Sequence, residues 1–102
     1  MKSIAISNEL NVILGMELAG IETGFSEDED ELRRLFTNSI EDENRGIVII
    51  TEGINNLLSD LILSHRERGK LPLIVTIPGE AGLKDKDFIM KYVKESLGVK
   101  ID

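Results

Sequence analysis

The chain has no cysteine and only four aromatic residues among its 102. The first absence removes disulfides, thiolate nucleophiles and zinc–thiolate sites, and it is compatible with a reducing compartment. The second means that any core must be built from Ile, Leu and Val. No apolar run approaches the roughly 18 residues that a membrane span requires. Met1-Lys2-Ser3-Ile4-Ala5-Ile6 passes directly into a strand-like pattern, too short for a signal peptide, so a soluble cytosolic chain is expected. A basic stripe is also missing. The net charge is −7, which argues against a nucleic-acid binder.

What is present is alternation. A chain of this length makes one domain and buries roughly two-thirds of its unfolded surface. Two nearly continuous β-branched runs stand out: Gly46-Ile47-Val48-Ile49-Ile50-Thr51, and Leu73-Ile74-Val75-Thr76-Ile77, which is closed by Pro78-Gly79. Such runs suit strands covered on both faces, as in parallel sheets. Ser3–Ser7 and Ile21–Phe25 read as two further strands, the second an exposed edge because of Glu22 and Gly24.

Between the strands lie helical periods. Asn8 is placed to cap a helix over 9–19 with Val12, Ile13, Met16 and Ala19 on one face, and Gly20 ends it. Ser26 and Glu29 fit a capping box that opens a second helix with Leu32, Leu35, Phe36 and Ile40 inward. A third helix, over 53–68, carries Ile54, Leu57, Leu58, Leu61 and Ile62, and Gly69 caps its end. The order predicts a four-stranded parallel α/β sheet, 2-1-3-4, a shortened flavodoxin-like arrangement. The expected organisation is an α/β body over 1–78, a hinge over 79–84 with Pro78, Gly79 and Gly82, and a last helix and tail over 85–102.

In such a sheet a ligand lies where the winding reverses, beyond the ends of the first and third strands. The candidates there are Ser7, Asn8, Thr51 and Glu52. A phospho-receiver needs clustered carboxylates after the first strand and an acceptor Asp after the third. Glu9 is the nearest acid to the first place, and Thr51 stands at the second. No phosphate-cradling glycine motif follows a strand, and Gly79-x-x-Gly82 is too short to be one. His65, the sole histidine, reads as a surface or helix C-terminal side chain complementing the dipole rather than as a general base. The acidic run Glu27–Glu31 lacks the alternation and central glycine of a calcium loop and reads as a solvated helix start. No cofactor or metal is expected.

The remaining feature is the last helix. Phe88, Ile89, Tyr92, Val93 and Leu97 form its apolar face, and large aromatics are natural anchors for a partner. Residues 1–83 carry 7 basic and 15 acidic side chains, whereas 84–102 carry 5 lysines and 4 acids. A weakly basic arm therefore follows an acidic body.

Three blocks, taken together, resemble the F subunit of the archaeal and bacterial A/V-type rotary ATPases. They are Ile13-Leu14-Gly15-Met16-Glu17-Leu18-Ala19-Gly20-Ile21, Ile50-Thr51-Glu52, and Pro72 through Gly79. The resemblance spans nearly the whole chain. It implies a non-catalytic central-stalk component whose body binds the coiled-coil axle, the D subunit. It also implies a C-terminal helix that reaches the catalytic A/B head and regulates hydrolysis. The location implied is the cytoplasmic side of the membrane, peripheral and without insertion. Ser7-Asn8 stands where relatives often have Gly-Asp, and Met16-Glu17 where they often have an aromatic and a basic residue, so no role passes to these positions. The alternative from the residues alone is a stand-alone receiver-like or small-ligand-sensing domain.

Overall fold

The computed structural model describes residues 1–80. Four parallel strands, β1 (Lys2–Ser7), β2 (Glu22–Phe25), β3 (Arg45–Thr51) and β4 (Leu73–Ile77), form one sheet in the order β2-β1-β3-β4. The helices are α1 (Leu10–Leu18), α2 (Glu29–Glu41), α3 (Glu52–Leu57) and α4 (Ser59–Arg68). The expected fold class and strand order are both observed.

Register divides the sheet into two faces. Ile4 pairs with Val48, Ile6 with Ile50, and Val48 with Ile74, so these side chains share one face. They meet Leu32 and Phe36 of α2, Ile54 of α3, Leu58, and Ile62 of α4 in the core. Every aliphatic in that core buries its side chain almost completely, worth about 1.5–3 kcal/mol each before conformational costs. Right-handed crossovers put α1 on the opposite face, because β1 to β2 runs against the direction of the later crossovers. There α1 packs on β1 and β2 through buried Ile13, with Val12 and Met16 half-buried and Ala19 exposed.

The β3–β4 half of that second face is bare among the described residues. Ile47 pairs with Leu73 and Ile49 with Val75, and Ile47, Leu73 and Val75 are all exposed. At the other end of the strands, buried Arg45 ties three strands together. Its Nη1 donates to Ser3 O at 3.1 Å, and its Nη2 donates to Glu22 Oε2 at 3.0 Å.

Three local readings shift. The cap of α2 is Asp28, whose carboxylate accepts from Glu31 N at 3.0 Å. Ser26 instead accepts from Asp28 N at 3.0 Å, forming the turn that leads into the cap. The helix expected over 53–68 is broken at Leu58, with φ −108° and ψ 25°. Asn55, Asn56 and Ser59 surround the break, and such side chains compete for backbone partners and favour turns. Finally, α1 opens at Glu9 with no side-chain cap, so Asn8 does not cap it. The expected ends hold: Gly20 has φ +81° and Gly69 φ +64°, a left-handed conformation that suits glycine.

Candidate functional site

The winding reverses between β1 and β3, where a ligand crevice is expected. There Ser7 Oγ and Thr51 Oγ1 lie 3.4 Å apart, both buried, and Ser7 Oγ accepts from Glu9 N at 3.0 Å. Glu52 is buried beside Thr51 as the first residue of α3. Asn8 is exposed. Three of the four sequence candidates are therefore buried at the strand ends and the fourth faces solvent.

The crevice is occupied by the chain itself. After β4 the backbone turns across the strand ends toward α1. Glu9 Oε1 accepts from Glu80 N at 3.0 Å, and Asn11 Nδ2 lies 3.3 Å from each Glu80 carboxylate oxygen. A Cβ placed on Gly79 would stand 2.5 Å from Glu9 Oε2, so only glycine lets this carboxylate reach across. Pro78 and Gly79 are half-buried in this strap. Hydroxyls paired to each other and a carboxylate pinned by a backbone N–H offer an incoming phosphate no free donors. Glu9 entered the sequence reading only as a displaced receiver acid. Its partner lies 71 residues away, with no local pattern to announce it.

His65 is not on the surface, contrary to the sequence reading. It is 5 % exposed, and its Nε2–H donates to Pro72 O at 2.7 Å, since a carbonyl can only accept. It locks the C-terminal end of α4 to the segment entering β4. An open groove of about 200 Å³ lies nearby, lined by Thr37, Ile40, Leu61, Ser64, His65 and Arg68. It sits where β4 begins, at the end of the sheet remote from the switch point. The acidic run Glu27–Glu31 is solvent-exposed, and no group of three or more metal-binding side chains occurs among the described residues. Gly82, Phe88, Ile89, Tyr92, Val93 and Leu97 lie outside the described residues.

Fold and site together define a small doubly wound α/β domain whose switch point is filled by its own side chains. Residues 4–93 match the family model described as ATP synthase (F/14-kDa) subunit, and the chain belongs to that family. A protein of Methanocorpusculum labreanum, by name the F subunit of an A-type ATP synthase, is 34% identical over 102 residues, covering 94% of each chain. The Thermoplasma acidophilum protein of the same name is 28% identical over 98 residues, covering 96% of this chain and 93% of its own. That of Methanosphaera stadtmanae is 28% identical over 100 residues, covering 96% and 94%.

Proposed function

We propose that this chain is the non-catalytic, central-stalk F subunit of an A-type ATP synthase. In this reading its α/β body grips the axle, the D subunit. Its C-terminal segment reaches the A/B head and regulates ATP hydrolysis. The observation that carries the reading is the family match, which extends from β1 into the segment beyond the strap.

The physics of the body supports a mechanical role. A stalk part must transmit torque without yielding. Here one face of the sheet is sealed by three helices, and Arg45 clamps the strand ends opposite the strap. Catalysis is not what the switch point is built for, because Ser7, Thr51 and Glu9 satisfy one another and the strap.

The regulatory part rests on the bare half of the sheet. The described chain ends at Glu80 beside α1, on the side of the sheet where Ile47, Leu73 and Val75 are exposed. Phe88, Ile89, Tyr92, Val93 and Leu97 supply an apolar set of matching extent. Docking them there gains about 1.5–3 kcal/mol per fully buried side chain. Ordering offsets about 1–2 kcal/mol per residue. Two arrangements of similar energy result, which is what a switch requires. Pro78, Gly79 and Gly82 are the proposed pivot. In this reading the protein sits peripherally on the cytoplasmic side of the membrane, and no described helix is long and apolar enough to cross it.

Two measurements test the reading. The full chain is expected to co-purify with its cognate axle, and failure to do so refutes the stalk assignment. Removal of residues 81–102 is expected to change ATP hydrolysis by the reconstituted complex at least twofold. An unchanged rate removes the regulatory role and leaves the stalk role standing.

A further inference from the structure

Helix α1 is apolar nearly all the way round, and half of that surface has no cover. Ile13 is buried and Val12 and Met16 are half-buried against the sheet, yet Leu10, Leu14 and Leu18 are 54%, 47% and 91% exposed. The three leucines are four residues apart, so they form one ridge along the outside of the helix. A helix that is hydrophobic all round is ordinarily buried all round. Gly15, between Leu14 and Leu18 along this surface, has open space where a side chain would stand, so another backbone can approach closely.

The charges around the ridge are all of one sign. Between Ser3 and Leu32 the chain has no lysine or arginine and eight carboxylates. On the α1 side these are Glu9 and Glu17, with Glu80 held beside Asn11. The last turn of α1 has no basic residue, so the negative end of its dipole is also uncompensated.

We infer that the Leu10–Leu14–Leu18 ridge is the docking surface for a partner helix whose apolar seam is flanked by Lys and Arg. A ridge of i±4 side chains fits the groove of another helix better than it fits a strand or loop. An acidic rim selects a basic partner and rejects a second copy of this chain, which would set Glu9 and Glu17 against their own equivalents and bring together two chains of net charge −7. The inference rests on the stalk reading for the partner's identity. It adds the face of the body that the axle helix occupies.

The test compares wild type with the double variant Leu14→Gln, Leu18→Gln in the full chain. Glutamine keeps the helix propensity and removes the apolar ridge. Binding to the purified axle protein is expected to weaken at least tenfold, while Leu63→Gln on exposed α4 leaves it within twofold. Wild-type affinity is also expected to fall as salt is raised, and Glu17→Lys to weaken it further. Matching circular dichroism and melting curves exclude misfolding as the cause. Unchanged binding by the double variant overturns this surface while leaving the stalk reading intact. Failure of wild type to bind overturns both. A dimer of the isolated chain that the double variant dissolves also overturns the inference, since the occupant is then a second copy.

Discussion

Arg45, His65 and Gly79 each hold a junction that apolar packing alone leaves loose. Arg45 is buried, with bonds to Ser3 O and Glu22. Arg45→Met keeps the stem but strands a buried carbonyl and frees Glu22. The expected loss of stability is about 1–3 kcal/mol, read from urea denaturation. His65→Leu removes the donor to Pro72 O, and a similar loss of about 1–3 kcal/mol is expected by the same measurement. A loss below about 0.5 kcal/mol shows that water replaces the missing partner. At Gly79 the demand is steric. Gly79→Ala pushes the Glu9 carboxylate away, and the Glu80 amide is expected to exchange with solvent markedly faster than in wild type. These residues also show where sequence reading stops. His65 lies at the end of a helix with no sign that Pro72 will fold back on it. Glu9 and Glu80 join ends of the chain that no short motif relates. Arg45 looks like one more polar connector residue until β1 and β2 flank it.

Whole elements were far more legible than these contacts, because period and punctuation act locally. β4 occupies Leu73–Ile77, as the β-branched run and Pro78 require, and the 2-1-3-4 order follows from β-α alternation plus crossover handedness. The break at Leu58 escaped because hydrophobic period continues across it: Ile54, Leu58 and Ile62 all remain in the core. The α2 cap escaped because two overlapping patterns, Ser26-x-x-Glu29 and Asp28-x-x-Glu31, compete, and the turn made by Ser26 moves the helix start two residues on. Between elements, Arg33 of α2 donates to Glu29 on its own helix and to Asp60 of α4. The hydrogen bond from Arg33 holds the Asp60 carboxyl below its ordinary value of 3.8. A depressed carboxyl stabilises the fold fully above its unfolded value, and that share disappears as pH falls through the folded value. Asp60→Asn is therefore expected to cost a small, constant amount of stability between pH 5 and 7, a gap that closes below about pH 4. Both side chains are exposed, so the effect stays small and shrinks further in salt. Urea midpoints for the two proteins across that pH range check the sign. A gap that widens in acid contradicts the assignment.

At the scale of the molecule, the two faces of the sheet are built to different specifications. One is closed by α2, α3 and α4 around Phe36 and the aliphatics of β1 and β3. The other is half covered by α1, whose outer leucines face solvent, and half bare over β3 and β4. A stalk body needs surfaces for two different neighbours, and this division supplies them: the α1 ridge for a permanent helical partner, the bare strands for the regulatory segment. The two assignments are separable by a substitution on the bare half alone. Val75 is 40% exposed and pairs with Ile49, so a lysine there is tolerated by the body but puts a charge under anything docked above it. In the full chain, Val75→Lys is expected to speed amide exchange over residues 85–97 at least tenfold and to leave β1 and β3 as protected as before. The same variant is expected to bind the axle with unchanged affinity and to shift hydrolysis by the assembled complex toward the rate seen without residues 81–102. Unaltered exchange over 85–97 moves the regulatory contact away from β4. A loss of axle binding instead makes the bare strands part of the permanent interface, and the switch must then lie elsewhere.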